Sequence, residues 1–300
     1  MRVFGDITRL NAKRRPGTIA LIKDGASLTY GQLNERANRL ANGLLTVGVR
    51  TGDRVAILAY NCLEFVVVAA AVAKCGAILV PINYRYKTGE LGYVLQSCQP
   101  RVLFFGPEFT PLVAEVLTEE SGSMMPVALE GAPLPPGLDL GGLMAGQSAS
   151  EPGVVVDPDS PLMITYTSGT TGRPKGVLLS HRATLNNYLG MVIEGDVQAS
   201  DVTLVNLPLF HTGGMHALLQ PTLFRGGTAV IMAGQFDPDR VLDAVGRHGV
   251  TLTMWVPTML AVLTQHPNAR KYDVRSLTKI WYGSSAISPS VLEASMDLFD

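Results

Sequence analysis

Residues 52–82 constrain the fold more tightly than any other stretch. A Gly52-Asp53 turn enters a short apolar run at 55–59. An almost wholly apolar segment at 63–75, closed by Gly76, comes next, and a second apolar run occupies 78–82. Short apolar runs bounded by turn signals read as buried strands, and the longer one reads as a helix buried on all sides. Strand, helix and strand in that order predict a parallel crossover unit, because parallel neighbours need a connection long enough to return along the sheet. The expected class is therefore α/β.

The same rhythm continues on both sides. Thr29-Tyr30-Gly31-Gln32 is a capping box, and Leu33, Ala37, Leu40 and Leu44 then recur at helical spacing before Gly48. A strand is expected at 101–105 and a helix at 107–118. Residues 119–161 are rich in Pro, Gly, Ser and Ala, and are expected to be a loop-dominated crossing. Strands are expected at 162–166 and 176–179, with Ser180 as N-cap of a following helix. A second alternation places strands at 202–207, 228–232, 251–256 and 279–282, and helices at 216–224, 239–248 and 257–265.

Composition narrows the function classes. The 300 residues allow two cores or one large α/β unit, and 47% hydrophobic against 16% charged residues describes a well-buried protein. A net charge of −1 argues against nucleic acid or an anionic membrane as the main partner. Cys62, Cys75 and Cys98 are odd in number and read as reduced thiols of a cytoplasmic protein. Residues 1–10 lack a signal-peptide core, and the apolar run 65–73, between Glu64 and Lys74, is too short to span a bilayer. The histidines form no metal-ligand pattern, since His211 and His216 are five apart.

The chemistry-bearing stretch is 166–177, reading YTSGTTGRPKGV. Hydroxyls and exposed backbone N–H groups are the donors a polyphosphate needs. Glycines let the backbone approach it, and a lysine supplies countercharge. Gly172 is followed by Arg173-Pro174-Lys175, so the G-x-x-x-x-G-K-[ST] pattern fails, and no G-x-G-x-x-G is present. A plain Gly/Pro hairpin turn would need only one or two such residues.

Residue for residue, this stretch resembles the phosphate loop of the adenylate-forming superfamily: acyl-CoA synthetases, luciferases and peptide-synthetase adenylation domains. LTYGQLNERANRLANGL from Leu28, GVRTGDRVAILAYN ending at Asn61, GAILVPIN ending at Asn83, LPLFHTGG at 207–214, WVPTML from Trp255 and WYGSSAIS from Trp281 resemble further family segments in order. The resemblance is greatest to the N-terminal part of an acyl-CoA synthetase. It implies two facing α/β subdomains with mainly parallel sheets flanked by helices, one at about 52–195 and the other at 1–51 with 196–300. The ligand cleft is implied at the carboxyl ends of the strands.

The implied activity is ATP-dependent activation of a carboxylic acid, fatty or related, as an acyl-adenylate, followed by transfer to CoA. ATP, Mg2+ and CoA are the implied co-substrates. Thr167, Ser168, Gly169, Thr170, Thr171, Gly172 and Lys175 correspond to the phosphate site, with Lys175 an electrostatic helper. Gly283, Ser284, Ser285 and Ala286 correspond to the strand end against which adenine lies, with two serines departing from the family's Gly-Gly-Ala-Pro-like pattern. His211, Gly213, Gly214, Met215 and Trp255 correspond to the acyl site. Met215, Trp255 and Met259 suit plain core equally well. Peptide-synthetase domains place an Asp shortly after the Phe here, whereas this chain has His211-Thr212-Gly213-Gly214, which favours an acid without an α-amino group.

The family's Tyr-Gly-x-Thr-Glu segment, whose glutamate helps hold Mg2+, does not occur in these residues, and neither does its C-terminal domain with the adenylation lysine. The expectation is an N-terminal portion that is inactive by itself and requires that missing domain. Two other readings stay open: a truncated, non-catalytic nucleotide- or partner-binding module, and an adenylation domain feeding a carrier protein.

Overall fold

The computed structural model describes residues 1–117, 124–135, 137–167 and 173–300. By packing they fall into two units. Unit 1 is Met1–Gly17 with Leu28–Asn187, and unit 2 is Thr18–Ser27 with Tyr188–Asp300.

The chain opens with helix α1 (Asp6–Arg14), strands β1 (Ile19–Lys23) and β2 (Ala26–Thr29), and helix α2 (Tyr30–Thr46). The capping box forms as the sequence predicts. Thr29 Oγ1 accepts from the Gln32 N–H at 3.2 Å, while Gln32 Oε1 accepts from the Thr29 N–H at 2.9 Å. Then come β3 (Arg54–Leu58), α3 (Leu63–Lys74), β4 (Ile78–Pro81), α4 (Thr88–Cys98), β5 (Val102–Phe105), α5 (Thr110–Val116), β6 (Met125–Ala128), β7 (Leu138–Asp139) and α6 (Leu140–Met144). A hairpin of β8 (Pro161–Thr167) and β9 (Lys175–Ser180) leads into α7 (His181–Glu194).

The sheet of unit 1 runs β7-β6-β5-β3-β4-β8-β9. Its pairs are parallel except the antiparallel β8–β9 hairpin. The parallel crossover expected at 52–82 is β3–α3–β4, with Val55 opposite Leu79 and Ala56 opposite Val80. Every residue of α3 except Glu64 is buried. Each valine or phenylalanine there contributes ~1.5–3 kcal/mol by leaving water, so an all-apolar helix is the stable choice.

Unit 2 continues with β10 (Val202–Val205), a π-helical segment (Gly213–Leu219) running directly into α8 (Gln220–Arg225), then β11 (Thr228–Ile231), α9 (Pro238–His248), β12 (Leu252–Trp255), α10 (Pro257–Gln265), β13 (Lys279–Tyr282) and α11 (Pro289–Phe299). Its sheet runs β13-β12-β10-β11-β1-β2, with parallel pairing from β13 through to β1. Trp255 anchors its core with Val241, Leu242, Val245, Leu260 and Leu263. The α/β class with mainly parallel sheets is therefore as expected.

The division between units differs from the one the resemblance implied. Residues 1–17 and 28–51 go with unit 1, because α1 packs on α2 and α2 packs on α3 and α6. The approach of α2 to α6 is so close that a Cβ on Gly43 would lie 2.2 Å from the Leu143 carbonyl oxygen.

The described residues of the crossing at 119–161 hold more regular structure than its composition suggests. Besides β6, β7 and α6, they include a strap over α2. Arg39 Nη1 donates to the Gln147 carbonyl at 2.7 Å, Asn38 Nδ2 to the Ala149 carbonyl at 2.8 Å, and Asn42 Nδ2 to the carbonyls of Ser148 and Ser150 at 2.8 and 3.0 Å. Asn34, Asn38 and Asn42 recur every four residues, so one helical row holds consecutive strap residues. The strap ends on Glu151, which accepts from Lys74 Nζ at 2.7 Å.

Candidate functional site

In unit 1 the expected phosphate-loop flanks form the β8–β9 hairpin, with Tyr166 opposite Gly176 and Thr167 opposite Lys175. Thr167 Oγ1 donates to the Lys175 carbonyl at 3.5 Å, and both residues are exposed. Ser168, Gly169, Thr170, Thr171 and Gly172 lie outside the described residues. Just before β9, the Arg173 guanidinium sits over the Tyr93 ring at 5.4 Å. The base of the hairpin thus presents one hydroxyl and two cations, a donor set that suits an anion. Arg173 was not among the sequence candidates, because its tether, Tyr93, lies 80 residues away in the sequence.

A second feature of unit 1 escaped the sequence altogether. From β3 the chain crosses to β4 on one side, then returns to β5 on the other, so the strand order reverses around β3. Open α/β sheets bind ligands outside the carboxyl ends of strands at such a reversal. Tyr60, Tyr84 and Phe109 follow the carboxyl ends of β3, β4 and β5. Tyr60 meets Tyr84 edge-on at 4.7 Å and Phe109 at 5.2 Å, and Arg85 lies 5.7 Å from the Tyr84 ring centre. Asn61 and Asn83 mark these strand ends in the sequence, but only pairing brings the rings together.

In unit 2 the remaining candidates share one sheet edge. His211, Gly213, Gly214 and Met215 follow the carboxyl end of β10. Trp255 closes β12, and Gly283, Ser284, Ser285 and Ala286 follow β13. β10, β12 and β13 are parallel neighbours, with Trp255 opposite Tyr282, so the three ends emerge on the same side. His211 is exposed and its ring lies 4.2 Å from that of Phe210. Its backbone joins turn to helix, the His211 N–H donating to Pro208 and the His211 carbonyl accepting from Met215, both at 3.1 Å.

Met215 and Trp255 are buried, at 1% and 0% exposure. Trp255 stacks on Phe299 at 5.2 Å, and its Nε1 is sealed without a partner among the described residues. Gly283 is half-buried, while Ser284, Ser285 and Ala286 are exposed. Ser284 adopts a left-handed φ of 72°, unusual for a residue with a side chain. A pocket of about 200 Å3 opens elsewhere, between α10 and α11 against β13, lined by Leu260, Ile280, Met296 and Phe299. It includes none of the candidates.

Gly214 is required by this geometry. A Cβ there would fall 2.4 Å from the Pro208 carbonyl oxygen and 2.5 Å from that of Leu207, so backbone would have to move. At Gly213 the nearest atom is the mobile Leu207 Cδ1, 3.1 Å away. Gly214→Ala is therefore expected to lower stability by about 1–3 kcal/mol, and Gly213→Ala by less than about 1. Urea unfolding followed by tryptophan fluorescence tests this, because both tryptophans, Trp255 and Trp281, lie in unit 2.

Two buried histidines are held neutral. Burial pushes His181 down to about 4, only partly offset by Asp6, and burial pushes His216 to about 4. His181 Nδ1 accepts from the Phe4 N–H at 3.2 Å, and His216 Nδ1 bonds the Tyr188 hydroxyl at 2.7 Å. Among the described residues no group of three or more His, Cys, Asp or Glu comes together to hold a metal ion. No described helix is long and apolar enough to cross a membrane.

The family model described as "AMP-binding enzyme" matches residues 8–300. A feruloyl-CoA synthase from Amycolatopsis sp is 34% identical over 286 residues, 95% of this chain and 55% of the relative. The fatty acid–[acyl-carrier-protein] ligase ScoC from Streptomyces coeruleorubidus is 34% identical over 298 residues, 98% of this chain and 55% of its own length. The structure of the anthranilate CoA ligase AuaEII in complex with anthranoyl-AMP superposes with a TM-score of 0.93 at 27% identity, covering 99% of this chain and 57% of that one. The chain thus spans about half the length of the curated relatives it matches.

Proposed function

This chain belongs to the AMP-binding enzyme family, and from that premise we propose that it is the N-terminal portion of an ATP-dependent acid–CoA ligase. In this reading a carboxylate, from a fatty or related acid, attacks the α-phosphate of MgATP. The bond to pyrophosphate breaks, an acyl-adenylate forms, and the CoA thiol then displaces AMP to give the thioester.

The reading is carried by the gathering of the 207–215 and 283–286 segments on one edge of three parallel strands, where the two halves of an acyl-adenylate need neighbouring sites. His211, Gly213, Gly214, Met215 and Trp255 serve the acyl group. Gly283, Ser284, Ser285 and Ala286 serve adenine. Thr167 to Gly172 and Lys175 hold the phosphates, where preorganised donors and a fixed cation neutralise charge as pyrophosphate leaves. Exposure of His211 suits orienting the carboxylate end. The three cysteines, odd in number, read as reduced thiols that fit a reducing compartment, so we place the activity in the cytoplasm.

ATP-dependent pyrophosphate release tests the reading, with fatty and aryl acids plus CoA, comparing this chain with any longer product of the same reading frame. Release by the longer product, with little or none from this chain, is the expected outcome. Lys175→Met in the longer product is expected to reduce the rate about tenfold. Release by neither protein with any acid overturns the reading. The similarity to ScoC supports one second reading, transfer to a carrier-protein thiol. Thioester formed on a carrier but never on CoA would select it.

A further inference from the structure

The helix that begins at Gly213 carries polar groups that a channel for a plain hydrocarbon tail has no use for. His216 is 9% exposed and Gln220 2%. They are four residues apart on one continuous helix, so their side chains share a face. His216 uses Nδ1 on the Tyr188 hydroxyl. Whichever tautomer it takes, one hydrogen-bonding function is left at Nε2, which has no partner among the described residues. The Gln220 amide nitrogen meets only the Met215 thioether, at 3.6 Å, a weak acceptor. The Gln220 carbonyl oxygen Oε1 likewise has no partner among them. Unlike Trp255 Nε1, neither of these ends is among the atoms sealed from solvent.

Two nearly buried amphoteric groups with unused capacity would ordinarily be replaced by apolar ones, since leaving such groups unmet costs about 1–3 kcal/mol each. Their helix is also widened to a π-helix through 213–219, a distortion frequent at functional sites. Its first residues, Gly213 to Met215, are those assigned above to the acyl group.

We propose that His216 and Gln220 form a polar subsite that reads an oxygen substituent of the substrate acid, remote from its carboxylate. The inference rests on the acid-activating reading and deepens it, naming hydroxy, oxo or phenolic acids over plain alkyl acids as the substrate class. A ligand oxygen accepts from the Gln220 amide and from Nε2 when it is protonated, and a ligand hydroxyl can also donate to Oε1. A site built to hydrogen-bond such a group discriminates against the analogue lacking it, because its own polar ends are then left unmet.

The test is equilibrium binding to the full-length protein by calorimetry, without turnover, using two acid pairs. These are 4-hydroxycinnamate with cinnamate, and 12-hydroxydodecanoate with dodecanoate. At least one oxygenated acid is expected to bind tenfold or more tightly than its partner. Gln220→Met and His216→Phe, each checked for folding by near-UV circular dichroism, are expected to shrink that preference to within twofold. Equal binding within both pairs, as when a resident water fills the subsite, overturns the inference, as does a preference that survives both substitutions. Pyrophosphate release is measured separately on the same acids. Binding with preference but no release sinks the ligase reading and leaves the subsite, release without preference does the reverse, and no binding by any acid overturns both.

Discussion

Acidification from pH 7 to pH 4 is expected to destabilise both units, each through one histidine. His181 belongs to unit 1 and His216 to unit 2. In the folded protein both ionise only near pH 4, against an ordinary value of 6.5, because burial disfavours the imidazolium. Below 6.5 the unfolded chain takes up protons that the folded chain refuses, so stability falls as pH falls. The loss begins near 6.5 and levels off near 4, and full stability is present above 6.5. At about 1.4 kcal/mol per pH unit, the fall from 6.5 to about 4 amounts to roughly 3 kcal/mol for each histidine.

Tryptophan fluorescence isolates unit 2, and far-UV circular dichroism follows both units. Urea midpoints taken from pH 7 to pH 4 should fall steeply in both signals. His216→Asn, which keeps an acceptor for Tyr188, should flatten the fluorescence curve. His181→Asn, which keeps one for the Phe4 N–H, should flatten only the remainder. Parallel curves for wild type and both variants would show that the histidines are not responsible.

Glu151→Ala is expected to cost about 3–5 kcal/mol, far more than its half-exposed position suggests. The reason lies in its partner. The Lys74 side chain is 3% exposed, whereas that of Glu151 is 38% exposed. Removing the carboxylate strands a buried ammonium, and an uncompensated buried charge is among the costliest single-site defects. Lys74→Met should cost less than about 1 kcal/mol, because Glu151 then keeps solvent and the amides of Asn34 and Asn38. The double variant should recover most of the Glu151→Ala loss.

The ionisation behaviour has the same asymmetry. Burial pulls Lys74 below its usual value, and the bond to Glu151 only partly offsets it. Burial alone would raise Glu151, but its bonds to Lys74, Asn34 and Asn38 outweigh that and hold it low. The carboxylate's contribution is thus present above 4.5 and lost as pH falls through its lower folded value. Chemical denaturation of the three variants at pH 7 decides the matter. Equal losses for Glu151→Ala and Lys74→Met would contradict the asymmetry.

Much of the fold was legible from local pattern. The Thr29–Gln32 box, the apolar alternation at 52–82, and the elements at 257–265 and 279–282 depend on neighbours within a few residues, and the structure reproduces them with ends shifted by one or two positions at most. The helix expected at 216–224 begins earlier, as a π-segment, because Gly214 must sit against the carbonyls of Leu207 and Pro208. The strands β6 and β7 and the strap at 147–151 were missed. The strap's carbonyls are satisfied by α2, about a hundred residues earlier, while β6 pairs with β5 and β7 with β6, and no local periodicity records such partners. Lys74 looked like the polar end of an apolar run for the same reason, since Glu151 is invisible from its neighbourhood.

By itself, then, the sequence determined the α/β class and the family, and it named the segments to which we assign phosphate, adenine and acyl roles. The class is read from apolar runs and turn residues within short stretches, and the family and its segments from the resemblance of several motifs in order. Only the tertiary structure decided that residues 28–51 pack in unit 1, that the ends of β10, β12 and β13 share an edge, that Tyr60, Tyr84 and Phe109 meet, and that His216 and Gln220 are buried with bonding capacity to spare. Those facts are burial and pairing between residues far apart in sequence. Their energies come from desolvation and contact, which exist only once the chain has folded.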